Sequence, residues 1–224
     1  MLSVVATPIG NLKDMSLRSI EILRTCDLIA CEDTRVTGVL LKHIESTVPL
    51  MSYHSHSTEL KLEKILSALR EGKHVALVSD AGTPCISDPG YHLVKAAREE
   101  SMEVEAIPGP AAFLTALMAS GLPLSAFRYM GFLPVKKGRQ TLLNEMAELD
   151  ETLVFYESKY RLLKTLAELK ERTPDRMMVL AKEITKLHET FLRGTVTEVE
   201  EQVKNDTNLQ KGELVLILPP LKLR

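Results

Sequence analysis

The sequence predicts an α/β protein of two domains, each a mostly parallel sheet with helices on its faces. Three observations lead there. Short β-rich apolar runs alternate with segments of helical period along the chain, the βαβα rhythm of a parallel sheet. Gly121-Leu122-Pro123 interrupts that rhythm midway, and a second series follows. A length of 224 residues, 45% hydrophobic and 26% charged, suits two domains of ordinary globular composition. The expected division is residues 1–120 and 121–224.

In the first series, Leu2–Ala6 reads as a strand ending in the turn Thr7-Pro8-Ile9-Gly10. Ser16–Thr25 follows as a helix, with Ser16 as N-cap and Leu17, Ile20 and Leu23 on one face. Asp27–Cys31 is strand-like. Leu62, Ile65, Leu66 and Leu69 recur at helical spacing, and Gly72 stands where a C-cap belongs. His74–Ser79 reads as strand, His92–Glu99 as helix and Val104–Ile107 as strand. In the second series, the strands are Arg128–Leu133, Thr152–Tyr156, Met177–Ala181, His188–Arg193 and Glu213–Leu218. The helices between them are Leu142–Leu149, Lys159–Lys170 and Thr195–Lys204.

Composition narrows the function classes. The formal net charge is −2, so nucleic acid would have to meet a local basic face rather than a bulk positive field. Lys136, Lys137 and Arg139, after Pro134, form the best such cluster, followed by Lys159, Arg161 and Lys164. A membrane span needs about 20 apolar residues in a row, and the runs Ala111–Leu122 and Leu214–Leu221 are shorter and broken by Gly or Pro. The start MLSVVATPIG has no basic leader region, and three cysteines cannot all pair, which suggests a reduced, cytoplasmic protein. His54-Ser55-His56 lacks further ligands at metal spacing, so no metal is expected.

The common nucleotide and hydrolase fingerprints, GxGxxG, GxxxxGK[ST] and GxSxG, are absent. The strand-end loops stand out instead. Asp80-Ala81-Gly82-Thr83-Pro84-Cys85-Ile86-Ser87-Asp88-Pro89-Gly90 is long for a βα loop, where about 2–6 residues are usual. Gly82 and Gly90 permit close backbone approach to a ligand, and Asp80 can accept its hydrogen bonds; Asp88 reads as the cap of the next helix. Thr7–Leu12 and Ile107–Ala112 are similar Gly/Pro turns at strand ends, the place where open α/β sheets bind ligands.

These residues resemble a known family. Val5-Ala6-Thr7-Pro8-Ile9-Gly10-Asn11-Leu12, Glu32-Asp33-Thr34-Arg35, Ser79–Pro84 with Ser87–Gly90, and Ile107-Pro108-Gly109-Pro110 are similar to the tetrapyrrole methylase superfamily, and within it to its branch acting on 16S ribosomal RNA. Gly131–Pro134, Phe155–Ser158, Ala181–Glu189, Arg193-Gly194 and Lys211–Glu213 agree, so the resemblance runs nearly the whole length. It implies S-adenosylmethionine in a cleft between two α/β domains of a homodimer, and 2′-O-methylation of a cytidine ribose on 16S RNA or the 30S subunit. Carried over by position, Pro8, Gly10, Asp80, Gly82, Thr83, Ile86, Ala111, Ala112, Tyr156, Ala181 and Gly212 border the cofactor.

A ribose hydroxyl is a poor nucleophile, so a base or a stabiliser of the developing alkoxide is expected. In this family context the candidates are Lys182, Lys186 and Glu157, with Glu183 and Asp33 behind them. Arg35, His54, Lys136, Lys137 and Arg139 are the candidate RNA contacts, with Tyr53 and His56 beside His54 for an unpaired base. The alternatives are methylation of a tetrapyrrole or other small metabolite, and a cofactor-binding module without catalysis.

Overall fold

A computed structural model of the chain describes residues 1–54 and 59–222. His56 lies outside the described residues. The chain divides into two compact units, Met1–Ala111 and Ala112–Arg224. The division falls earlier than the expected boundary after residue 120. The helix α5 (Ala112–Ser120) packs its buried Phe113, Ala116 and Leu117 within the second unit, against the strands β7 (Thr152–Glu157), β8 (Met177–Lys182) and β10 (Leu214–Leu218).

In the first unit the strands are β1 (Leu2–Val5), β2 (Leu28–Cys31), β3 (Leu50–Ser52), β4 (Val75–Leu77) and β5 (Val104–Ile107), in spatial order β3-β2-β4-β1-β5. Every pairing is parallel. Alternation along these strands makes two cores. Val5, Ile29, Ala76 and Ile107 face α1 (Leu17–Thr25) and α2 (Thr34–His43), while Leu2, Ala30 and Leu77 face α3 (Glu59–Arg70) and α4 (Tyr91–Glu99). Ser16 caps α1 through its side chain, as the sequence predicts, but α4 begins after Gly90 with no side-chain cap, so Asp88 is not its cap. The elements α2 and β3 carry no expectation from the sequence. The polar, β-branched start of α2 hides its period, and β3 is only three residues long.

The second unit orders its strands β6-β7-β10-β8-β9, adding β6 (Phe127–Phe132) and β9 (Thr190–Thr195). Only β6 and β7 pair in parallel; β7–β10, β10–β8 and β8–β9 are antiparallel. The mostly parallel expectation therefore holds for the first sheet and for the molecule's pairings taken together, but this sheet alone is mixed. The reason is connectivity. A short loop joins β8 to β9 as a hairpin, and β10 returns to the middle of the sheet, which hydrophobic runs alone do not reveal. One face packs against α6 (Arg139–Glu148), α7 (Leu162–Lys170) and α8 (Val196–Asn205) through Leu153, Phe155, Met178, Leu180, Leu214 and Leu216. Thr195 and Glu198 close α8 with a reciprocal capping box.

Candidate functional site

Three loops leave the carboxyl ends of β1, β4 and β5 and are tied together. Thr7 and Gly82 exchange backbone hydrogen bonds of 2.8 and 3.0 Å, and the Thr7 hydroxyl donates to the Ser79 carbonyl. Thr83 donates from Oγ1 to the Pro110 carbonyl at 3.0 Å. Gly82 makes this possible at φ +87°, where a side chain would be strained and its Cβ would press on Ile9 at 3.4 Å. Pro8, Gly10, Asp80, Gly82, Thr83, Ile86 and Ala111 thus sit on three cross-linked turns of one unit, as the sequence predicts.

Beside these turns lies an open basin of about 490 Å³ lined by Glu32, Asp33, Thr34, Arg35, Ser52, His54 and Asp80. Asp80 accepts the Asp33 backbone N–H at 3.0 Å, which seats the start of α2 against the β4 loop. Arg35 holds both Asp33 oxygens, at distances down to 2.5 Å, and keeps that carboxyl down at about 2. Asp33 is therefore no proton acceptor at neutral pH. Glu32 is raised by burial first and then by Asp80; Asp88 is pushed up to about 6 by burial, Glu32 and Asp80. Glu32, Asp33 and Asp80 thus share the lining of one basin with Arg35 and His54.

In the second unit, the pleat of the sheet separates residues that the sequence groups together. Glu157, Leu214 and Lys182 share one row, and Tyr156, Val215 and Ala181 share the next. Leu214 lies in the helix-covered core, so Glu157 and Lys182 project to that face, while Tyr156 and Ala181 project to the other. Tyr156 accepts the Phe113 N–H through its hydroxyl at 3.2 Å. Glu157 is 2% exposed and takes hydrogen bonds from Ser158 N and Thr165 Oγ1 and an ion pair with Arg161 at 2.7 Å. This removes Glu157 as a transfer base: its oxygens already hold a structural network. Lys182, 7% exposed on the same face, is directed away from Tyr156 and Ala181.

Arg139 is also corrected. It is 3% exposed and binds Glu168, Thr165 and the Pro134 carbonyl, so it cannot touch RNA. Lys136 and Lys137 are exposed, as expected.

The loop after β8 keeps its candidates. Lys186 pairs with Glu183 and Glu213, each at 3.1 Å, and these partners outweigh burial to raise its pKa. Glu183 receives the Glu213 N–H at 2.8 Å, and its carboxyl is where a Cβ on Gly212 would fall, at 2.5 Å. Glu183 and Thr185 both adopt positive φ, 51° and 65°, unusual for these residue types. The Thr185 hydroxyl is buried without a hydrogen-bond partner, unlike any other described side-chain N or O atom. Sequence reasoning missed Thr185 and the acidic role of Asp88; neither lies on a hydrophobic period, and Asp88 has the spacing of a cap. Among the described residues, no helix is long and apolar enough to cross a membrane, and no group of three or more His, Cys, Asp or Glu side chains could hold a metal ion.

Cross-linked strand-end turns beside an open basin are the arrangement in which α/β proteins take small ligands, at the carboxyl edge of a sheet. The profile for Tetrapyrrole (Corrin/Porphyrin) Methylases matches residues 1–200, and the chain belongs to that family. A protein of Escherichia coli O157:H7 named Ribosomal RNA small subunit methyltransferase I is 49% identical over 97% of this chain and 77% of its own length. The Thermotoga maritima protein of that name is 44% identical, over 97% of both chains. Among solved structures, a cobalt precorrin-4 methyltransferase matches with TM-score 0.72 at 18% identity, over 96% of this chain and 93% of its own. A uroporphyrin-III-C-methyltransferase from Thermus thermophilus matches at 0.66 and 20%, over 97% of this chain and 93% of its own. These last two likenesses show the fold.

Proposed function

We propose that this S-adenosylmethionine-dependent methyltransferase modifies the ribose 2′-hydroxyl of a cytidine in 16S ribosomal RNA, on the small ribosomal subunit and hence in the cytoplasm. One observation carries the substrate: identity of 44–49% across 97% of the chain to proteins named for small-subunit ribosomal RNA methylation. No residue-level observation favours a tetrapyrrole instead.

The donor set fits the cofactor, because Asp80, Asp88 and Glu32 put carboxylates on and beside the cross-linked turns, and S-adenosylmethionine carries a sulfonium and an ammonium. Pro8, Gly10, Asp80, Gly82, Thr83, Ile86 and Ala111, on the cross-linked turns of the first unit, would hold it. When bound, the cofactor supplies an electrophilic methyl group that a hydroxyl must approach in line. Lys186, held protonated by Glu183 and Glu213, would act as a fixed positive charge for a developing alkoxide and not as its proton acceptor. Arg35 and His54, which line the basin, are the groups there that would meet the RNA.

The test is transfer of tritiated methyl groups to total RNA and to 30S particles, followed by nucleoside analysis. 2′-O-methylcytidine is the expected product. Label on a base, or no label in either RNA, sinks the reading. We also propose a homodimer, supported by Leu114 and Met118, exposed one turn apart on α5; light scattering at micromolar concentration should give twice the chain mass.

A further inference from the structure

Phe132, at the end of the parallel β6–β7 pair, and Tyr160, in the loop that follows, have no role in the reading above. Phe132 and Tyr156 are register partners there, with ring centroids 5.3 Å apart. Phe132 ends β6 with 57% of its surface exposed, an unusual state for so large an apolar ring. The pair slips register between Tyr129 and Phe132, a bulge that re-aims the end of this edge strand. The loops that follow the two strands lie side by side, because Arg161 from the second donates to the Leu133 carbonyl of the first at 2.9 Å. Between them they expose Val135 at 66% and Tyr160 at 86%. Lys136, Lys137 and Lys159 are exposed in the same two loops, and the Lys159 ammonium stands 5.1 Å from the centre of the Tyr160 ring. Neither loop, 133–138 or 158–161, contains an acidic residue, and Glu157 beneath them is buried and neutralised by Arg161.

We infer that this strand end is a seat for an unpaired nucleotide of the RNA substrate, whose base stacks on Phe132 or Tyr160 while the three lysines hold the adjoining phosphates. The inference rests on the RNA reading above and deepens it. Its chemistry is the pairing used by proteins that grip single-stranded nucleic acid: flat rings for bases, surrounded by cations for the backbone. An acidic protein surface would match the lysines but not the bare rings, and a second copy of the chain would bring the same positive charge against itself. A flipped or looped nucleotide satisfies both parts. Stacking on a ring face accepts a base without reading its edges.

The experiment is fluorescence anisotropy of a short unstructured oligouridylate with the full chain, run beside the 30S methylation assay. Phe132→Ala and Tyr160→Ala should each weaken oligonucleotide binding by about fivefold or more, and Phe132→Trp should restore it. The Lys136→Ala, Lys137→Ala and Lys159→Ala triple change should flatten the salt dependence by about two counterions, which the ring variants leave in place. Circular dichroism melts identify any variant that fails to fold, and the tryptophan variant then decides: loss of its binding despite a wild-type melt counts against the seat. Ring variants that bind within about twofold of wild type overturn the inference even if 30S methylation is normal. So does a Phe132→Ala change that halves the mass in light scattering but spares RNA binding, because a second copy then covers the rings. Ring-dependent binding without methyl transfer to any RNA upholds the seat and fails the proposed activity instead.

Discussion

Single residues in this protein divide into those whose charge is spent on the fold and those whose charge is kept for a ligand. Asp88 belongs to the second group. Its carboxyl is raised to about 6 in the folded chain by burial and by Glu32 and Asp80. A raised acid stabilises the fold fully below its unfolded value and loses that contribution as pH climbs through the folded value, here between about 4 and 6. Asp88→Asn should therefore raise the unfolding free energy at pH 7.5 by on the order of 1 kcal/mol after allowance for partial exposure, seen as a higher melting temperature, and lose that advantage near pH 4. Cofactor affinity by calorimetry should fall in the same variant, and in the wild type below pH 6, since the charge that repels its neighbours attracts the cation. Lys186 makes a separate prediction. Lys186→Met should lower kcat and kcat/KM together by about 10²–10³-fold, as loss of a transition-state charge does, whereas Lys182→Met should transfer methyl at a near-normal single-turnover rate. Equal losses in both would show that the pleat is no guide to which lysine meets substrate. The sequence could name Asp80, Gly82 and the flanking turns because Gly and Pro report backbone demands locally. It could not separate Lys182 from Lys186, because which face a lysine takes depends on a register set by β10, more than thirty residues away.

At the scale of elements, the junction of α6, α7 and β7 shows why a basic cluster read from sequence can mislead. Arg139 opens α6 only three residues after Lys136, yet its guanidinium turns inward to Glu168 and Thr165 while the lysines remain outside. Glu168 answers with a carboxyl held below its usual value despite burial, by Arg139, Gln140 and Lys164. Removing one member of such a buried pair leaves the other uncompensated. Arg139→Met should cost about 3–5 kcal/mol in urea unfolding, with no change in the salt slope of RNA binding. Lys136→Ala should do the reverse: little effect on stability and a salt slope smaller by about one counterion. Most strands and helices were legible from apolar period, down to the cap of α1, because each buries one regular face. The element α2 escaped because it begins Thr-Arg-Val-Thr-Gly, a stretch without a clean apolar stripe, and its place is fixed instead by the backbone N–H of Asp33 on Asp80.

Across the whole molecule, the two units reach their sheets by different routes. The first takes its strands from one continuous stretch, in parallel, and its ligand loops all emerge at one edge, as a parallel α/β sheet dictates. The second sheet is mixed, which its hydrophobic runs could not reveal: a run of Leu and Val fits a parallel or an antiparallel neighbour equally well. Its middle strand is β10, with β7 on one side and β8 on the other. During synthesis this order sets a timetable. The strands β7 and β8 leave the ribosome with no partner for their inner edges, and they stay unjoined until residues 214–218 emerge. The first unit has all five of its strands by Ile107 and can close while the second is still being made. A nascent chain stalled with residues up to Asn205 outside the tunnel should therefore show a protease-resistant first unit and a digestible second, and release of β10 should protect the second as well.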